Sequence, residues 1–249
     1  MGLDVEAQAR YAFLLGLLEQ RLDPPARLVE LGAAPGDQIA TLADRGYLTT
    51  AVDIGVASDE WADGTEGRMA ALFADHGVRY VEWDLERVPY PLDDGAYDGV
   101  VYTEVFEHLR DYPVRSLVEV ARILRPGGFL FFSTPNAAYL GSRLNLLRGR
   151  TVYSPLPDWI AGVPHARHAR EYLFGEVDEA MRIAGLDVVV RTSRHFHLTG
   201  GSAPKRLAKR GINQMARRRP TLGPQIIVVA RKPDPHLTSP AGRSHAEGN

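Results

Sequence analysis

The chain predicts an α/β architecture, a doubly wound and mostly parallel sheet with helices on both faces. Three observations carry that reading. First, five short apolar runs with β character alternate with stretches of helical periodicity: 27–31, 47–52, 78–83, 97–102 and 129–133. Alternation of this kind lays strands side by side in parallel, because each helix carries the chain back across the sheet. Second, the first run empties into a turn containing Gly32 and Gly36, with Ile39, Leu42 and Ala43 at helical spacing beyond it. A glycine turn between a strand end and a helix start is where open α/β sheets bind ligands. Third, two more apolar runs follow, 186–190 and 225–230, and the second is reached without an intervening core helix, which makes it antiparallel. The expectation is a seven-stranded sheet with a reversed last strand.

Composition bounds the rest. The 249 residues are 45% hydrophobic, enough for one large core. We expect a single domain over residues 1–232 and a disordered tail over 233–249, where proline, serine and glycine displace apolar residues. A net charge of −2 argues against a general nucleic-acid binder. There is no cysteine, which excludes disulfides, thiolate metal sites and cysteine nucleophiles and suits a reducing compartment. Neither a secretory leader nor an apolar run approaching ~18 residues is visible, so a soluble cytoplasmic protein without a membrane span is expected. Nothing bears on oligomeric state.

Residues 4–20 read as an amphipathic helix with Tyr11, Leu14 and Leu18 on one face, closed by Pro24 and Pro25. It is expected to pack on the sheet edge or to cover a bound cofactor. Glu30 sits just before the glycine turn, and the second strand ends at Asp53. A carboxylate there is placed to accept both hydroxyls of a ribose. A loop and then a helix containing Met69–Phe73 lead to the third strand, which ends at Asp84 and Leu85. An acid followed by an apolar residue suits hydrogen bonding to an adenine amino group and cover for its ring.

Val114, Leu117, Val118, Ala121 and Leu124 form the core face of a helix over 113–124, and Arg125-Pro126-Gly127-Gly128 reads as its stop. A helix with Phe174, Val177, Met181 and Ala184 on one face precedes the sixth strand. Two insertions, 136–170 and 198–223, stand where substrate covers would. The first opens with Asn136 and carries Leu140, Leu144 and Leu147 on one face; Tyr139, Arg143, Tyr153 and Trp159 are its candidates for facing substrate, although aromatic residues in a cover more often pack. The second carries Lys205, Arg206, Lys209, Arg210, Arg217, Arg218 and Arg219, seven cations without an acid. Such a run grips phosphate or an anionic lipid surface, or simply forms a solvated lid.

After the fourth strand comes Glu104-Val-Phe-Glu107-His108. On a helix starting there, two carboxylates and an imidazole share one face. His108 is the candidate general base, since imidazole titrates near neutrality, with Glu104 and Glu107 beside it.

Glu30-Leu31-Gly32-Ala33-Ala34-Pro35-Gly36 resembles the first motif of the class I, Rossmann-like S-adenosylmethionine (SAM)-dependent methyltransferases. Ala34 replaces the middle glycine, so either that position avoids positive φ or the turn is altered. The run Glu104–Asn136, with its Leu-Arg-Pro-Gly-Gly and Phe-Ser-Thr-Pro-Asn segments, resembles the ubiquinone-biosynthesis O-methyltransferases. Glu-x-x-Glu-His is also similar to the small-RNA terminal-ribose 2′-O-methyltransferases, where these residues bind a divalent cation together with a later histidine. His168-Ala-Arg-Glu171 matches that later position, with His165 a near competitor.

The resemblance spans about residues 27–192 and implies a methyltransferase fold. It implies SAM as cofactor, held by Glu30, Gly32, Ala34, Gly36, Asp53, Ile54, Asp84, Leu85 and Thr103. It further implies Mg²⁺ or Mn²⁺ held by Glu104, Glu107, His108 and His168; the open alternative is that these side chains shape the pocket without metal. The expected function is O-methylation of a hydroxylated small molecule, a sugar, catechol or polyketide-type metabolite. Methylation of an RNA 3′-terminal ribose is a second reading, favoured by the basic run and opposed by the net charge. A nicotinamide-dependent oxidoreductase is a third, opposed by the lack of a Tyr-x-x-x-Lys pair. A catalytically silent binding relative is the last.

Overall fold

A computed structural model of the chain describes residues 5–54, 65–153, 156–157, 168–196 and 202–235. Seven strands form one sheet: β1 (Arg27–Leu31), β2 (Leu48–Asp53), β3 (Arg79–Glu82), β4 (Tyr97–Thr103), β5 (Leu124–Pro135), β6 (Asp187–Arg194) and β7 (Gln225–Arg231). Their order is β3-β2-β1-β4-β5-β7-β6. Pairing is parallel from β3 through β5, whereas β7 runs antiparallel to both β5 and β6. From β1 the order proceeds outward one way to β2 and the other way to β4, and a crevice opens at the carboxyl ends of strands where the order divides.

The helices are α1 (Val5–Glu19), α2 (Asp37–Asp44), α3 (Thr65–Asp75), α4 (Pro113–Ile123), α5 (Leu140–Leu147), α6 (Phe174–Ile183) and α7 (Ala203–Arg218). Successive strand residues point to opposite faces, so each central strand feeds two cores. Val29, Val100, Leu130 and Val228 meet Leu117 and Val120 of α4 and Val177 and Met181 of α6. Leu28, Val101 and Phe131 meet Leu18 of α1, Ile39 and Leu42 of α2 and Phe73 of α3. Coverage on both sides is why the strands read as nearly unbroken apolar runs.

Three expectations are corrected. α1 does not sit on the sheet edge: Leu18 packs over β1, β4 and β5 at the centre of one face. On α4 the buried positions are Ser116, Leu117, Glu119, Val120 and Ile123, while Val118 is 47% exposed. Glu119 is affordable inside because Arg122 pairs with it at 2.7 Å and Tyr90 N–H donates to it at 2.7 Å. Arg125–Gly128 is not a helix cap. α4 stops at Ile123 and β5 starts at Leu124, with the pairing to β4 slipping between Tyr97 and Gly99. Gly127, at φ +77°, donates to the Lys232 carbonyl and the Lys232 N–H returns a bond to Gly128, each at 2.9 Å. Partners from the end of β7 therefore turn the glycines into a bulge.

Of the α5 leucines read on one face, Leu144 and Leu147 are exposed, and Ser142 is the helix's one buried residue. Trp159, His165 and residues 236–249 of the expected tail lie outside the described residues. Among the described residues no helix is long and apolar enough to cross a membrane.

Candidate active site

The loop from β1 to α2 takes its left-handed residues at Gly32 (φ +72°) and Gly36 (φ +96°), and Ala34 is not among the residues with positive φ. Ala34 thus occupies the middle position without strain, the first of the two alternatives the sequence left open. A Cβ on Gly32 would lie 2.3 Å from Val105 Cγ2, so only glycine lets the turn close against the β4 loop. Asp53 fastens the turn from the neighbouring strand, accepting Ala34 N–H at 2.9 Å and Ile54 N–H at 2.8 Å.

A cavity of about 200 Å³ opens above these strand ends, lined by Gly32, Ala34, Asp53, Ile54, Asp84, Leu85, Glu86, Glu104, Val105, His108 and Leu109. Most of the residues assigned to a cofactor on sequence therefore share one crevice. Glu30, Gly36 and Thr103 do not line it. Glu30 is buried behind the turn with Oε2 unpartnered, and its carboxyl is pushed well above the usual range by burial and then by Asp53. Gly36 opens α2 against Phe73 and Leu72, and Thr103 ends β4 opposite Ser133. An apolar cavity of about 230 Å³ lies between α1 and α2, lined by no carboxylate or imidazole among the described residues, whereas the crevice gathers Asp53, Asp84, Glu86, Glu104 and His108.

Glu86 and Arg10 escaped the sequence reading. Glu86 caps the far side of the crevice, its carboxylate accepting from the N–H groups of Arg110 and, at 3.1 Å, Asp111. Its signal was a second acid two residues beyond Asp84. Arg10 reaches over from α1, with Nη1 3.7 Å from Glu104 Oε2 and Nε buried without a partner. A cation on the inner side of a helix that covers the site was the available clue.

The helix expected at Glu104 does not form. Glu104 takes φ +58°, left-handed and rare for a non-glycine residue, and only a single 3₁₀ turn follows, Phe106–His108. Its N–H extends the sheet ladder to the Ser133 carbonyl at 3.0 Å. Phe106 then drops into the core against Tyr102, Phe132 and Tyr172, with ring centroids 6.3, 5.4 and 4.6 Å away. Glu104 accepts hydrogen bonds from Ser133 Oγ at 2.8 Å and from Gln225 Nε2.

Glu107 turns inward and is 1% exposed. Thr134 Oγ1 donates to it at 3.0 Å, while burial and then the Glu104 charge push its carboxyl well up. The Glu107 carbonyl also accepts Ala169 N–H at 2.7 Å and Arg170 N–H at 3.1 Å, which pulls in the loop carrying His168. The His108 and His168 rings meet edge to face at 5.1 Å, and His168 Nδ1 lies 3.0 Å from Glu171 Oε1. Potential ligand atoms of Glu107, His108 and His168 all lie within 4.8 Å of one another. Glu104 stands outside this group, so the expected set of four divides into three and one. A second cavity of about 310 Å³ begins at His168, lined by Ala137, Val152, Tyr153, Ala169, Arg170 and Glu171.

The strand order, with a glycine turn and acidic strand tips around a crevice, is the arrangement of the class I SAM-dependent methyltransferase fold. The methyltransferase-domain family model matches residues 29–132, which span β1 through most of β5. The ubiquinone biosynthesis O-methyltransferase of Saccharophagus degradans is 30% identical over 110 residues, 44% of each chain. The chain thus spans about half the length of the curated relatives it matches. A SAM-dependent methyltransferase of Mesorhizobium loti superposes with TM-score 0.61 at 18% identity, covering 90% of this chain and 97% of that one. The 1,6-didemethyltoxoflavin N1-methyltransferase of Burkholderia thailandensis, solved with S-adenosylhomocysteine, gives 0.56 at 20% identity over 93% and 80%. At such identities these structures show the fold.

Proposed function

We propose that the protein transfers the methyl group of SAM to a hydroxyl of a small molecule, a sugar, catechol or polyketide-type metabolite. The observation that carries this reading is the meeting of two cavities at a histidine pair: His108 lines the crevice of the acidic strand tips, and His168, 5.1 Å away, lines the second cavity. In this reading Asp53 accepts the ribose hydroxyls, Asp84 and Leu85 hold the adenine, and the peptide groups around Gly32 approach the methionine end. Arg10, with its unpartnered Nε, suits the cofactor carboxylate.

Methyl transfer requires the acceptor oxygen in line with the sulfonium methyl and shielded from water, so positioning supplies much of the rate. Without a metal, His108 takes the hydroxyl proton as the oxygen–carbon bond forms and the sulfur–carbon bond breaks. The donor set of Glu107, His108 and His168 fits a small divalent cation, and His168 is oriented by Glu171 as metal-binding histidines commonly are. Mg²⁺ or Mn²⁺ bound there would supply acidification of the acceptor hydroxyl. Methylation of an RNA terminal ribose is a second reading, which the seven cations of 205–219 favour.

Calorimetric titration with SAM and with NAD tests the cofactor, and a screen of hydroxylated acceptors for products heavier by one methyl tests the reaction. Binding of NAD without SAM would overturn the reading. Methylation confined to nitrogen acceptors would remove the O-methylation claim alone.

A further inference from the structure

The cavity of about 230 Å³ between α1 and α2 opens on the sheet face away from α4 and α6. Its walls are Leu14, Leu15 and Leu18 of α1 and Leu42 of α2, and its floor is Val101 of β4 and Phe131 of β5. Water finds few partners in such a space, and the apolar lining forfeits dispersion contacts that a ligand would restore. An apolar cavity of roughly 150 Å³ admits a benzene ring, whereas drug-sized ligands need upward of ~300 Å³. The room here is therefore that of one ring with a short substituent.

The side chains narrow the occupant further. No carboxylate or imidazole lines the cavity among the described residues, and Arg45, the cation that does, is paired with Glu19. Neither a metal ion nor a charged ligand is favoured. Gln38 of α2 also lines the space, 7% exposed and with no side-chain hydrogen bond among the described residues. A buried amide without a partner costs free energy that a ligand hydroxyl, able both to donate and to accept, would recover.

The cavity also shares its elements with the crevice. The connection from β1 into α2 gives Gly32 and Ala34 to the crevice and Gln38 and Leu42 to the cavity. Tyr11 of α1 lines the cavity, and its neighbour Arg10 stands 3.7 Å from Glu104 in the crevice. Glu30 pairs in register with Val101, so its side chain shares the face of the floor, and burial followed by the Glu30 charge pushes the Tyr11 phenol up. A ring lodged between α1 and α2 would hold α1 in place and fix Arg10 before a cofactor arrives. We propose that this cavity is a second ligand site, for a neutral one-ring molecule bearing a hydroxyl, and that its occupancy strengthens SAM binding. The coupling presupposes SAM in the crevice; the binding itself does not.

Calorimetric titration of the full chain with p-cresol tests the site, with toluene and benzoate for comparison. p-Cresol should bind roughly ten-fold more tightly than benzoate, whose charge has no partner here, and several-fold more tightly than toluene. Gln38→Leu should remove the advantage over toluene. Ala12 is exposed where it lines the cavity, so Ala12→Trp should block p-cresol while leaving thermal melting unchanged. Saturating p-cresol should tighten SAM binding about five-fold, and SAM should tighten p-cresol by the same factor. No p-cresol binding, full p-cresol affinity in Ala12→Trp, or displacement of p-cresol by SAM would each overturn the proposal. Unchanged SAM affinity in saturating p-cresol would overturn the coupling. Should SAM itself fail to bind, the cofactor reading falls, and loss of p-cresol binding in Ala12→Trp would still mark the cavity as a site.

Discussion

At Gly32 one methyl group decides whether the turn can exist. The residue holds φ +72°, and an added Cβ would sit 2.3 Å from Val105 Cγ2. Gly32→Ala should therefore cost about 1–3 kcal/mol in urea unfolding and abolish SAM binding by calorimetry; normal affinity in a folded variant would remove this turn from the cofactor site. Glu30 poses the opposite problem, a carboxyl that the fold keeps from ionising. Its native pKa is raised by burial first and Asp53 second. Below the unfolded carboxylate value both states are protonated and the residue is neutral toward stability. As pH climbs past that value the unfolded chain ionises while the native carboxyl resists, so stability is lost with rising pH. Glu30→Gln should match the parent near pH 4 and melt roughly 2–4 °C higher near pH 8; equal melting at both values would mean the carboxyl finds a partner. Asp53 and Asp84 were legible because they end apolar runs. That Glu30 hides behind the turn was not, since its burial depends on how the turn closes against the strands beside β1.

The segment between β4 and α4 is where spacing misled. Glu-x-x-Glu-His fits a helix face as a string, yet the ladder bond from Glu104 to Ser133 and the anchoring of Phe106 against Tyr172 are long-range contacts that no local pattern contains. The three groups that do converge include His168, brought in by two hydrogen bonds to the Glu107 carbonyl. If they hold a cation, EDTA should abolish turnover, Mg²⁺ or Mn²⁺ should restore it, and His168→Ala should weaken Mn²⁺ binding about 10–100-fold in a titration of the cofactor-free chain. Full turnover in EDTA would leave a metal-free enzyme with His108 as base. The α4 face was misjudged by one position, because the Glu119–Arg122 pair buries a charge where hydrophobicity alone puts Val118. The glycines at 127 and 128 were read as a cap because their partner, Lys232, lies over a hundred residues away.

Across the whole molecule, fold class and strand count were readable because alternation of strand and helix is a repeated local signal, broken among the first five strands only between β3 and β4, whereas the position of β7 inside the sheet is a property of pairing. Ligand binding should register globally as well. At about 100 times its Kd, SAM should add roughly 2.7 kcal/mol to stability and raise the melting temperature by about 5–10 °C, with NAD inert; a shift with NAD alone would point to a dinucleotide enzyme. The antiparallel insertion of β7 also governs the order of assembly. Gln225–Arg231 lies between β5 and β6, and Gln225 supplies one of the donors on Glu104. During synthesis the ribosome delivers β1 to β5 early, but β6 must wait without a neighbour until residues near 231 emerge. The nascent chain thus completes the half that carries the acidic strand tips first, and Glu104 gains its Gln225 partner only after that strand has slotted home.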